Sequence, residues 1–271
     1  MVALLPVALV VFLLAVFLTK SIQLIGPTQV GLVQKRVGRK LPEDNPIAFG
    51  GEAGYQAKLL MPGLRLVLWP IFSVSKHPWV QVPAGEVGVV IAQVGAPLPI
   101  GAKSGFYHPA FGNFTDLRTF LASGGEKGVQ RPVLTPGTLV PIHPIAFLVI
   151  TSQRVFGLPV TPEVGGRGVL SPATFGLDPA QLRQLVIAPA GGTDVVGIVT
   201  TLEGEPLQSG DIASRLGGYV DITTMEGEGR NDAAVIDMLL GSQNDLHNNY
   251  QDFQRFLDAG GRIGLQHDPL A

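Results

Sequence analysis

GGEAGYQAKLLMPG at residues 50–63 is answered by GGEKGVQRPVLTPG at 124–137, and GGRIGLQHDPLA at 260–271 opens in the same way. Gly50, Gly51, Gly54, Gln56 and Leu60 correspond to Gly124, Gly125, Gly128, Gln130 and Leu134, and again to Gly260, Gly261, Gly264, Gln266 and Leu270. A block that returns with its glycines in place marks a structural unit used more than once. Upstream of each block stands a short apolar run containing a glycine: VGLV at 30–33, VGVV at 87–90 and VGIV at 196–199. Each reads as a buried strand whose glycine lets another backbone come close. A turn follows each run, GRKLP at 38–42, GAPLPIG at 95–101 and GEPLQSG at 204–210.

Two copies place an amphipathic helix before the block, NFTDLRTFLAS at 113–123 and NYQDFQRFLDA at 249–259. Phe114, Leu117, Phe120 and Leu121 share one helical face, as do Tyr250, Phe253, Phe256 and Leu257. The double glycine then ends the helix. Beyond the block, LRLVLW at 64–69 and TLVPIHPIAFLVI at 138–150 read as closing strands. One unit is therefore strand, Pro/Gly turn, connection with helix, GGxxGxQ, L-x-P-G turn, strand. The third copy stops at Leu270–Ala271, where the others run on to Pro-Gly and a strand, so the natural protein is expected to continue past residue 271. With 35 glycines and 22 prolines, long helices have no room in the middle of the chain. The expected fold is α+β and β-rich, with repeated units at 21–80, 81–180 and 181–271, the last incomplete.

Residues 1–20 read differently. Val2 to Thr19, VALLPVALVVFLLAVFLT, carries no charge and is closed by Lys20. As a helix it spans about 27 Å, close to the ~30 Å of bilayer hydrocarbon. A cleaved signal peptide is the rival reading. The run is longer than a typical signal core, no Lys or Arg precedes it, and no A-x-A site follows. The expectation is an N-terminal transmembrane anchor, single-pass or monotopic. Lys20, Lys35, Arg36, Arg39 and Lys40 all lie downstream, which favours a cytoplasmic body at the cell membrane.

The chemistry-bearing residues form no constellation. A net charge of -2 gives no electrostatic reason for nucleic acid, and the absence of cysteine excludes disulfides and thiolate metal sites. GAPLPIGAKS at 95–104 has Gly95, Gly101, Lys103 and Ser104 in suggestive order, but the spacing departs from a phosphate loop. Pro97 and Pro99 have no N–H for phosphate, and the sister copy at 204–210 has no Lys-Ser after it. His77, His108, His143, His247 and His267 are far apart and lack HxxxH or HExxH spacing. His143–Pro144 occupies the repeat position of Trp69–Pro70, so that site asks for a flat side chain. Asp116 and Asp252 recur together near helix starts, where capping accounts for them. Glu203 and Glu205 flank a turn glycine, and Glu205 is Ala96 in the sister copy. MEGEGRND at 225–232 reads as a solvated loop before a helix, DAAVIDMLLG. No GxSxG elbow is present. The expectation is a protein that is not an enzyme, with no catalytic, cofactor-binding or metal-binding residues and no nucleotide.

The hydrophobic N-terminus, PTQVGLV at 27–33 and LLMPGLRLVLWPI at 59–71 together resemble the opening of SPFH/Band 7 proteins, the group of stomatins, prohibitins and flotillins. PAGEVGVV at 83–90 is similar to a second copy of that strand, and LTPGTLVPIHPIAF at 134–147 to a second hairpin. The arrangement is most similar to larger bacterial flotillin-like proteins. The resemblance implies a mixed α/β SPFH body lying against the membrane. It also implies homo-oligomeric rings or cages that organise membrane microdomains and recruit protein partners without catalysis. It assigns no functional residue. The chain departs from the family in repeating the unit and in lacking an Ala/Glu-rich coiled coil. The functional expectation is a membrane-anchored scaffold whose partners are the lipid bilayer, further copies of itself and an unidentified protein. The alternative is an anchored extracytoplasmic β-rich binding module exposing loops such as 152–180.

Overall fold

The computed structural model of the chain describes residues 4–42, 45–160, 170–186, 191, 197–207, 209–210, 212–215, 252–258 and 260–267. Helix α1 (Leu4–Ser21) leads directly into β1 (Ile22–Ile25). The first repeat follows as β2 (Gln29–Lys35), β3 (Ile47–Ala48), β4 (Gly54–Gln56), β5 (Gly63–Leu66) and β6 (Phe72–Pro78). The second supplies β7 (Val80–Gln81), β8 (Val89–Ala92), α2 (Leu117–Ala122), β9 (Gly128–Val129), β10 (Leu139–Val140), β11 (Phe147–Ile150) and β12 (Val155–Phe156). The third supplies β13 (Thr200–Thr201), β14 (Ser214–Arg215), α3 (Phe253–Asp258) and β15 (Gly264–His267). The chain is α+β and β-rich. It divides into two compact bodies, Met1–Pro99 with Ser104–Gln184, and Ile100–Lys103 with Leu185–Ala271. The first body thus holds the first two repeats and the second body the third.

The same pairings return in each repeat. Gly31 exchanges backbone hydrogen bonds with Leu60, both 2.9 Å, and Gly88 does so with Leu134 at 2.9 and 2.8 Å. A β-carbon on Gly31 would lie 3.0 Å from that of Leu60 and 3.1 Å from the Val74 side chain, so the strands meet this closely only with glycine there. Four residues along from these glycines, Lys35 faces Gly54, Ala92 faces Gly128 and Thr201 faces Gly264. On the far side a parallel segment lies beside the glutamine of each block, Ala48 by Gln56, Gly105 by Gln130 and Ser214 by Gln266.

That glutamine closes the block on itself. Gln56 Nε2 donates to the carbonyls of Glu52 (2.9 Å) and Gly54 (3.0 Å). Gln130 Nε2 donates to Glu126 (2.8 Å) and Gly128 (3.0 Å), and Gln266 Nε2 to Arg262 (2.7 Å) and Gly264 (2.9 Å). Both amide hydrogens are used, and the intervening glycine takes φ of +122°, +108° and +103° in the three copies, where a β-carbon is strained. In the helical copies the double glycine clears space for an aromatic ring. A β-carbon on Gly125 would sit 2.6 Å from the Phe120 ring, and one on Gly261 2.5 Å from that of Phe256.

Three expectations need correction. The strand that closes the first repeat is β6, not 64–69. It pairs antiparallel with β2 from Gln29↔Pro78 to Lys35↔Phe72, so His77 and Pro78 end a strand. TLVPIHPIAFLVI is not one strand: Pro141 and Pro144 have no ladder N–H to give, and the segment splits into β10, paired with β7, and β11, paired with β8. The helices are shorter than 113–123 and 249–259. Asn113 and Phe114 take positive φ, so α2 starts only at Leu117, and the described helix of the third repeat runs Phe253–Asp258. Phe114 is buried all the same. With Phe111, Phe120 and Phe147 it forms the aromatic centre of the first body, with ring centroids 4.9 Å apart for Phe111–Phe120 and 5.1 Å for Phe120–Phe147. Leu32 and Ile47 of the first repeat belong to the same core. The helix expected at DAAVIDMLLG and the loop MEGEGRND lie outside the described residues.

Replacing Gln130 with methionine keeps most of the side-chain volume but strips the Glu126 and Gly128 carbonyls of their shared donor. The expected loss is about 2–3 kcal/mol, read as a lower urea midpoint at unchanged slope.

Candidate functional site

Where they are described, several of the residues singled out for chemistry make local structural bonds. Asp116 Oδ1 accepts the Thr119 N–H (2.9 Å) and Oδ2 accepts the Thr119 hydroxyl (2.7 Å). These bonds hold its carboxyl below the usual carboxylate range. Asp252 Oδ1 accepts the Arg255 N–H (3.1 Å) in the same way. The Lys103 N–H donates to Glu203 Oε1 (3.1 Å) and its ammonium to the Leu202 carbonyl (2.7 Å). Glu205 contributes backbone, donating its N–H to the Gly261 carbonyl. His108 Nδ1 accepts the Ala110 N–H, and His77 Nε2 lies 3.1 Å from Ser75 Oγ. His247 and the side chain of His267 lie outside what is described. Among the described residues no three His, Cys, Asp or Glu side chains come together as a metal site.

Among the described residues His143 is the one fully buried histidine, 2% exposed. Its Nδ1 accepts the N–H groups of Ile145 (3.3 Å) and Ala146 (3.1 Å), so the proton sits on Nε2, which donates to the Gln56 carbonyl (3.1 Å). The ring thereby ties the proline-broken loop of the second repeat to the GGxxGxQ block of the first. Desolvation pushes its pKa down from 6.5 to about 4, with a smaller contribution from the nearby His77 in the same direction. It also floors a cleft of about 590 Å³ lined by Lys58, Met61, Asp116 and Arg118.

The feature without an internal explanation is apolar and faces out. β1 and β5 form a two-stranded antiparallel ribbon with pairs Ile22↔Leu66, Gln23↔Arg65, Leu24↔Leu64 and Ile25↔Gly63. Side chains alternate across a ribbon, so Ile22, Leu24, Leu64 and Leu66 share one face. They are 47, 65, 69 and 72% exposed. Ile25 on the other face is buried, its Cδ1 only 2.9 Å from where Gly31 would carry a β-carbon, and this contact seats the ribbon on the first sheet. Ser21 joins the ribbon to the helix: its carbonyl accepts the Val67 N–H (2.8 Å) and its hydroxyl the Trp69 N–H (3.2 Å). Arg65 folds back onto the carbonyls of Met61 and Pro62, away from the apolar face.

Helix α1 continues the same character. Leu9 to Leu14 are exposed without interruption, and the Thr19 hydroxyl returns its hydrogen to the carbonyls of Ala15 and Val16. Among the described residues no helix is long and apolar enough to cross a membrane. The portion of α1 whose side chains are described, 8–21, is about 21 Å long.

The sequence suggests the β1 half of this face, since the apolar Ile22, Leu24 and Ile25 directly after Lys20 suit a position close to headgroups, although Ile25 is buried; it does not show the β5 half. Leu64, Leu66 and Leu68 alternate with Arg65 and Val67, a pattern that reads as a strand facing a core. The alternation was legible; the side to which it faces was not. No protein-family model, no curated protein and no solved structure matches the chain.

Because the folded pKa of His143 lies below the unfolded value, the fold favours its neutral form. Its contribution is fully present above pH 6.5 and is lost as pH falls through 6.5 toward 4, by up to about 3 kcal/mol. Urea unfolding from pH 7.5 to 4 should show this slope in the wild type. His143→Gln should be less stable at pH 7.5 and flatter between 6.5 and 4.

Proposed function

We propose that the chain is a membrane-bound, non-enzymatic scaffold of the SPFH/flotillin type. In this reading it organises a patch of membrane or recruits protein partners through homo-oligomerisation. The observation that carries it is the ribbon of Ile22, Leu24, Leu64 and Leu66, an apolar face exposed directly beyond the apolar helix α1. A folded protein in water gains nothing from such a face, whereas each of these side chains contributes roughly 1.5–3 kcal/mol when removed from water. The charges are placed to suit a bilayer surface: Lys20 closes the helix, and Arg65 lies on the opposite side of the ribbon from the leucines. Embedded α1 holds the chain in the bilayer, and the ribbon sits at the level of the headgroups and keeps the first body against the lipid. The body then presents repeated β-units along the surface, and assembly of copies supplies the area over which a domain is organised.

The test is vesicle retention of the full chain. It is expected to stay with the lipid after carbonate washing and to sediment as a large homo-oligomer in detergent. Release into the carbonate supernatant would remove the anchor from the account, and a stable monomer would remove the scaffold. Substituting Leu24→Glu with Leu66→Glu should leave the thermal transition in place, because both side chains are already exposed in the body. Because α1 still holds the chain, carbonate retention should be unchanged, while the ribbon should leave the lipid and open to a water-soluble quencher.

A further inference from the structure

We infer that the first repeat docks on bilayers containing anionic phospholipid. The contact is the exposed edge that runs from Lys20 through Leu68 and Ile71 to the basic turn KRVGRK at 35–40. The inference rests on the membrane reading above and adds the class of lipid that the same side of the body takes.

Positive charge is concentrated where that reading puts the lipid. Residues 1–80 carry eight Lys or Arg and three Asp or Glu, whereas 81–271 carry eleven and eighteen. A chain of net charge -2 therefore keeps a positive surplus in and just before its first repeat. Such asymmetry along a chain points to contact with a membrane or another polyanion. Half of the eight, Lys20, Arg36, Arg39 and Lys40, are exposed.

Backbone hydrogen bonds place the basic turn beside the end of α1. Ser21 holds the N–H groups of Val67 and Trp69, and the Ile71 carbonyl accepts the Arg36 N–H (2.8 Å). The joining segment, 67–71, reaches at most about 18 Å even when extended. The turn is fixed by its own bonds. Lys35 Nζ donates to the Gly51 carbonyl, and the Arg39 carbonyl accepts the Ala53 N–H (2.9 Å). A β-carbon on Gly38 would lie 2.9 Å from the Ala53 nitrogen, so this close approach needs glycine. Glu52 acts electrostatically on Arg39, while Arg36 and Lys40 have no carboxylate partner among the described residues.

The apolar residues between these cations decide the kind of partner. Val37 is 68% exposed, Leu68 49% and Ile71 42%. A soluble polyanion uses the cations and leaves Val37, Leu68 and Ile71 in water. A bilayer interface takes both, with phosphates at the cations and hydrocarbon below them.

A spin label at Val37→Cys in the full chain reports on the turn. The chain is placed in vesicles of phosphatidylcholine alone or mixed with phosphatidylglycerol. Access of a neutral, water-soluble nickel complex to the label should fall at least about fivefold when phosphatidylglycerol is present. The fall should vanish at about 1 M salt, where the screening length is ~3 Å. Arg36→Gln, Arg39→Gln and Lys40→Gln together should abolish it and leave the thermal transition in place, since all three side chains are exposed. Equal access on both vesicles, with a label at Leu24→Cys still in lipid, would overturn this inference alone. A Leu24→Cys label open to the nickel complex on both would overturn the membrane reading and this inference with it. Release of the turn by inorganic phosphate, and not by chloride at the same ionic strength, would also overturn it, because the turn then binds a small anion and not a lipid surface.

Discussion

The first two repeats depend on a close meeting of backbones that only glycine allows, and all three close the block that follows with one glutamine amide. Gly31 and Gly88 bring their strands against Leu60 and Leu134, and the following block turns at a positive-φ glycine whose carbonyl is bound by the glutamine two residues on. Without the glycine the strands stand too far apart to exchange both hydrogen bonds. Without the glutamine two part-buried carbonyls lose their donor, at a cost of about 1–3 kcal/mol. Gln266 makes the same two bonds in the third repeat, a separate compact body, so the device belongs to the sequence block and not to one location in the fold.

From this closure the rest of the first body follows. The helix before the second block packs Phe120 beneath the double glycine, and Phe120 meets Phe111, Phe114 and Phe147. His143 extends the order across repeats, its ring bonding the Gln56 carbonyl of one block from the broken strand of the other. The ribbon of β1 and β5 is fastened by the same glycine, since Ile25 occupies the space beside Gly31. Helix α1, ribbon and sheet are thus mechanically continuous, and whatever holds α1 also holds the first body.

The repeats were readable because glycine and glutamine do one backbone job wherever they stand. Thus Gly54, Gly128 and Gly264 aligned in sequence and share their pairing in space. The caps at Asp116 and Asp252 were readable for a similar reason, being local interactions between residues three apart. The closing strand at 72–78 was not. FSVSKHP is too polar to announce itself, and only its pairing with β2 makes it a strand. The outward face of β5 was hidden because period-two alternation of leucine looks the same whether the apolar side meets a core or faces outward. Tertiary contacts also decided the role of His143. The sequence marked it as a flat residue before proline, while its neutral state comes from burial, which outweighs the opposing pull of the Gln56 carbonyl.

The chain contains no cysteine, so single spin labels can be placed without background. Labels at Leu24→Cys and Leu66→Cys in the full chain on vesicles measure directly whether the outer face of the ribbon lies in lipid. The account predicts that both are more accessible to oxygen than to a water-soluble nickel complex, with the reverse at Arg65→Cys on the opposite face. Greater access of the nickel complex at all three positions would contradict it.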